Sequence, residues 1–132
     1  MKINKMHLSE IINHCEKGYP KESCGILAGK NGTVEKVFQM ENRADTPQTC
    51  YFMKPEEQLK VMKEIRSLNL ELLSIYHSHI DVPAYPSSKD VTLAFYPDAI
   101  YIILSIKDGK LSDIKVYEIK ENKINEVKLE IT

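Results

Sequence analysis

The sequence predicts an α+β fold: a mixed, largely antiparallel β-sheet flanked by about three helices, in one domain over residues 1–132. Three observations predict it. The dipeptides Asn31-Gly32 and Asp108-Gly109 each join two extended apolar runs, the strongest short hairpin signal a sequence carries. Two other stretches repeat their apolar residues at helical spacing. A chain of 132 residues is also long enough to bury a core without disulfides or a structural metal.

Taken in order, Leu8, Ile11, Ile12 and Cys15 recur at offsets of three, four and seven, which predicts an amphipathic helix from Met6 to Lys17 ended by Gly18. Cys24–Lys30 and Thr33–Met40 are predicted to pair antiparallel across Asn31-Gly32. Pro55 stands where a first helical residue belongs, and Leu59, Met62, Ile65 and Leu68 lie near one face of a second helix that Asn69 ends. Leu72–His77 is apolar enough for a buried strand, whereas Ile80–Pro86 holds two prolines and is a loop. Ser87 or Ser88 caps a third helix to about Phe95. Ala99–Ile106 and Leu111–Lys120 form another strand pair, and Lys123–Ile131 alternates as a weaker edge strand with a phase slip near Asn125.

The composition narrows the function classes. Eighteen basic and nineteen acidic residues give a formal charge of −1 and are mixed along the chain, which argues against nucleic acid as a main partner. Cys15, Cys24 and Cys50 are odd in number and form no C-x-x-C pair, so neither a disulfide framework nor a cysteine-rich zinc site is expected. No apolar run is long enough to span a bilayer and the N-terminus lacks a signal-like apolar core; the expectation is a cytoplasmic protein with no membrane partner.

The chemistry concentrates in His77-Ser78-His79 and Ser87-Ser88-Lys89-Asp90. Two residues apart on an extended chain, His77 and His79 point to one face of the sheet, so both rings can reach one ion. With Asp90 they offer two nitrogens and one oxygen, the three protein ligands of a catalytic zinc site whose fourth position is left to water. Such an ion brings the pKa of its water from about 15.7 towards roughly 7. Glu22 is a carboxylate outside that cluster able to shuttle the proton, and Ser87 is a hydroxyl able to donate to an oxyanion.

Each residue has a plainer reading. Ser87-x-x-Asp90 is also a helix capping box, Glu22 on residue type alone is a solvated surface glutamate, and Cys24 is a small buried apolar residue. His7 and His14 lack a partner motif and are expected to be ordinary surface or core histidines. No H-E-x-x-H, no P-C-x-x-C after the histidine pair and no glycine-rich phosphate loop is present.

With these residues in place, the chain resembles the JAMM, or MPN-plus, metalloprotease family, whose signature is an upstream glutamate, then H-x-H, seven residues, and S-x-x-D. Here Ile80–Pro86 supplies the seven residues, and Glu22-Ser23-Cys24-Gly25-Ile26-Leu27 matches the family's E-x-x-G-x-L segment. The likeness extends to Asn42, Tyr51 and Pro55 and covers about residues 5–120. One departure is Ile80, where proline commonly follows the second histidine.

The resemblance implies a JAMM/MPN fold of cytidine-deaminase-like architecture and one zinc ion per chain. It assigns His77, His79 and Asp90 as ligands, Glu22 as general acid/base and Ser87 as oxyanion donor. Members of this size imply cleavage after the C-terminal Gly-Gly of a ubiquitin-like or sulfur-carrier protein. Two other functions fit the same text: a non-catalytic MPN-type binding module, and a zinc amidohydrolase acting on small-molecule conjugates. Cobalt or manganese would also accept these ligands.

Overall fold

A computed structural model describes all of residues 1–132. Strand β1 (Lys2–Ile3) leads into helix α1 (Lys5–Gly18), capped by Asn4, whose Oδ1 accepts from the His7 amide at 2.8 Å. Strands β2 (Cys24–Lys30) and β3 (Thr33–Met40) pair antiparallel, with Asn31 and Gly32 at φ 53° and 75° as a two-residue hairpin turn demands. Helix α2 (Pro55–Ser67) starts on its proline, and Asn69 at φ 56° turns the chain out of it. Strand β4 (Glu71–Ile80), the short helix α3 (Ser88–Thr92), β5 (Ile100–Lys107), β6 (Lys110–Lys120), β7 (Lys123–Val127) and β8 (Glu130–Ile131) complete the chain.

The eight strands form one sheet in the order β7-β6-β5-β4-β2-β3-β1-β8. Pairing is parallel for β4 with β5 and for β1 with both neighbours, and antiparallel elsewhere. Strands β7 and β8 lie on opposite edges, yet only Lys128 and Leu129 separate them. Three Cα steps reach at most about 11 Å, so the sheet must curl until its edges approach.

Side chains alternate to two cores. Ile11 and Cys15 of α1 pack with Ile3, Leu27, Tyr76, Ile102 and Leu104 on one face. Ile65 of α2 packs with Ile26, Ile75, Tyr101, Ile103 and Tyr117 on the other.

Several expectations need correction. The buried face of α2 is Val61, Met62 and Ile65; Leu59 and Leu68 are 57% and 45% exposed, because the helix is rotated so that Gln58 faces inward to Met53 and Tyr96. Strand β4 continues through His79 to Ile80, since β5 supplies paired backbone up to Ile106. Helix α3 stops at Thr92 rather than near Phe95. The expected single strand Lys123–Ile131 is two strands, β7 and β8, on different edges. The two-residue β1 went unpredicted because it is too short to show periodicity.

Candidate metal centre

Register assembles the site. In the β2–β4 ladder Cys24 lies opposite His77, and the Ser78 amide donates to the Ser23 carbonyl at 3.0 Å while the Ser23 amide donates to Ser78 Oγ at 2.8 Å. Continuing that antiparallel register, Glu22 falls opposite His79, on the same face as Cys24 and both histidines. A two-residue period on each strand therefore brings the carboxyl to the rings although Glu22 and His77 stand 55 positions apart in the sequence.

Helix α3 contributes the third donor. Ser87 Oγ accepts from the Asp90 amide at 3.1 Å, and Asp90 Oδ2 accepts from the Ser87 amide at 2.9 Å, both halves of a capping box. That box fixes the Asp90 carboxylate so that Oδ2 lies 3.3 Å from His77 Nε2 and 3.0 Å from His79 Nε2. One atom from each of the three residues lies within 4.8 Å of the others, near enough to share an ion. The helix-cap reading of Ser87 and its placement beside the cluster thus coexist, and its hydroxyl hydrogen stays uncommitted.

The donor set fits a metal on its own chemistry. His77 is 1% exposed, yet neither ring nitrogen has a hydrogen-bond partner; Nε2 is close to Asp90 but misaligned for a hydrogen bond. A buried imidazole with two unpaired nitrogens is costly unless a lone pair is used elsewhere. His79 is oriented by the Pro83 carbonyl, 2.8 Å from Nδ1, which leaves Nε2 facing Asp90.

Electrostatics follow from burial. His77 is pushed below its ordinary pKa by desolvation, towards the neutral form a ligand needs. For His79 burial opposes protonation, but the hydrogen bonds to Asp90 and Pro83 outweigh it and the net shift is upward. Burial likewise opposes the Asp90 charge, and the two imidazoles prevail, holding it well below the usual carboxylate range.

Glu22 is 5% exposed with Oε1 unpartnered, not the solvated surface glutamate its residue type suggests. Desolvation pushes its carboxyl up to about 8, with His79 and Asp90 close enough to act on it in opposite senses. Cys24 is fully buried, its thiol raised to about 12 by burial. The cysteines are free. His14 lies apart from the cluster, with Nδ1 2.6 Å from Tyr76 Oη, and half-buried His7 has no ligand partner either.

The sequence reading gave no role to Asn42 or Tyr51. Asn42 Nδ2 donates to the Glu22 carbonyl at 2.8 Å and to the Cys50 carbonyl at 3.0 Å, while Oδ1 accepts from the Ala44 and Phe52 amides, each at 3.0 Å. The Tyr51 ring lies on the His77 ring with centroids 4.5 Å apart. Both residues sit in an aperiodic stretch, where the family likeness singles them out but no periodicity gives them a role. Beside the cluster, a groove of about 440 Å³ runs between Arg43–Phe52 and Lys89–Leu93.

Comparison with known proteins places the chain in a family. The family model described as prokaryotic homologs of the JAB domain matches residues 4–120. The chain is 35% identical over 121 residues to a CysO-cysteine peptidase of Mycobacterium tuberculosis, covering 90% of this chain and 82% of that one. It is 39% identical over 109 residues to a desampylase of Pyrococcus furiosus, covering 82% and 74%. The crystal structure of a JAB1/MPN domain protein from Archaeoglobus fulgidus superposes with a TM-score of 0.67 at 20% identity, over 100% of this chain and 96% of that one, a likeness of fold.

Proposed function

Because this chain belongs to the family of prokaryotic JAB-domain homologs, we propose that it is a zinc-dependent metallopeptidase hydrolysing a peptide or isopeptide bond after the C-terminal Gly-Gly of a ubiquitin-like or sulfur-carrier protein. The observation that carries this reading is the convergence of His77, His79 and Asp90 on one point, with a buried, unpartnered Glu22 carboxyl on the same face. Relatives named as a CysO-cysteine peptidase and a desampylase support the substrate class.

His77 and His79 would hold the ion through nitrogen and Asp90 through oxygen. Bound there, zinc acts as a Lewis acid and makes water a nucleophile at neutral pH. The residues do the rest. Glu22, buried with Oε1 unpartnered on the same face, would take a proton from the attacking water and deliver it to the leaving nitrogen. Ser87 turns its free hydroxyl hydrogen to the substrate carbonyl oxygen as negative charge builds. Asp90, binding the ion through a carboxylate oxygen, would stay ionised there. The groove beside Lys89 offers an extended tail a route to the cluster, and glycines let its backbone lie close.

The test is metal analysis joined to a cleavage assay on a ubiquitin-like protein whose Gly-Gly end carries one further residue. We expect about one zinc per chain, and a loss of roughly 100-fold or more in kcat for Glu22→Ala with zinc retained. Cleavage that persists after zinc removal, or in Glu22→Ala at the wild-type rate, overturns the proposal.

A further inference from the structure

The two histidines of the cluster are held in different ways. His79 has a carbonyl on its far nitrogen, that of Pro83 at 2.8 Å. Imidazoles that bind metal are usually oriented by such a bond, which fixes tautomer and ring plane together. His77 has none: its Nδ1 is buried and unpartnered. What touches the ring instead is Tyr51, stacked at a centroid distance of 4.5 Å and an interplanar angle of 29°.

From this contrast we infer that Tyr51 is a positioning residue for His77, its ring face fixing the imidazole plane in place of the missing hydrogen bond. A stacked aromatic restricts ring rotation over a broad contact area, and Tyr51 is itself seated against the core. An independent feature holds it there. Asn42 uses both amide hydrogens and its oxygen to tie the backbone on either side of Tyr51, at Cys50 and Phe52, to the backbone of Glu22. One side chain thereby keeps the stacking ring and the acid/base carboxyl in a fixed relation, and the stack needs no contribution from the phenol hydroxyl.

The inference rests on the reading of His77 as a ligand, and the experiment separates the two. Zinc dissociation constants are measured by competition with a chromophoric chelator for wild type, Tyr51→Phe and Tyr51→Leu, with the cooperative melt of each metal-free protein as the check on folding. Phe keeps the ring and is expected within about threefold of wild type, whereas Leu keeps apolar bulk without the ring and is expected to bind zinc about 10-fold more weakly or worse. Equal affinity for Leu and wild type overturns the inference alone. So does a Phe variant as weak as Leu, which would place the effect on the hydroxyl. Should Leu fail to melt cooperatively, Tyr51→Met serves as the ring-free variant under the same criteria. Wild type that binds no zinc overturns both the inference and the assignment of His77.

Discussion

A carboxyl raised by burial has a consequence for stability. In the metal-free protein Glu22 titrates near 8 when folded and near 4.5 when unfolded. Its folded pKa is the higher, so the protonated form's contribution is fully present below pH 4.5 and is lost as pH rises through about 8. Over that window the unfolded chain binds fewer protons than the folded one, a slope of up to about 1.4 kcal/mol per pH unit against folding. Glu22→Gln removes it. We expect the stability of the Gln variant relative to wild type, both stripped of metal, to grow from pH 4.5 to 8 by up to about 4 kcal/mol and then level off. Urea unfolding at a series of pH values measures this; groups not coupled to Glu22 cancel in the difference, which carries Glu22 together with its coupling to His79 and Asp90. A flat difference would mean that the carboxyl is ionised in the fold. Residue type alone pointed to a solvated glutamate here; only the strand pairing above buries it.

At the scale of elements, the site depends on how closely β2 and β4 approach. Gly25 lies opposite Tyr76, and a Cβ built on Gly25 would stand 2.3 Å from the Tyr76 ring. The ring cannot easily move, being fully buried with its hydroxyl 2.6 Å from His14 Nδ1 on α1. Gly25→Ala is therefore expected to cost about 1–3 kcal/mol by overpacking. Because Tyr76 adjoins His77, zinc affinity should fall in the same variant. Chemical denaturation and chelator competition check the two effects, and a variant as stable as wild type would show that the ring has room.

Local signals fixed these strands well. Asn31-Gly32 supplied the positive φ angles of its turn, so β2 and β3 have the bounds expected of the two extended runs it joins. Elements set by distant partners were less legible. Strand β4 runs past His77 because β5 is beside it, and Lys123–Ile131 divides because β7 adds to β6 while β8 adds to β1. Glu121-Asn122, at φ 50° and 63°, forms another tight turn from a dipeptide that carries no strong turn signal.

For the whole molecule, two apolar cores on opposite faces of the curled sheet account for its cohesion, and the His77-His79-Asp90 cluster lies at the end of β4 rather than at the centre of either. Removing metal should therefore leave the fold standing. After exhaustive chelation we expect unchanged far-ultraviolet circular dichroism and a cooperative melt at a lower Tm, restored by zinc in proportion to RT ln(1 + [L]/Kd). Loss of cooperative melting on chelation would instead give the ion a structural role. No helix is long and apolar enough to cross a membrane.

By itself the sequence determined the donor types and their local geometry. His77 and His79 at strand spacing must share a face, and Ser87-x-x-Asp90 must cap a helix, because both follow from backbone periods of a few residues. Tertiary structure alone decided that Glu22 is buried beside them, that Tyr51 covers His77, and that the two ends of the sheet meet. Those relations depend on hydrogen-bond register and packing between segments tens of residues apart, and a short-range pattern holds no record of which distant strand will lie alongside.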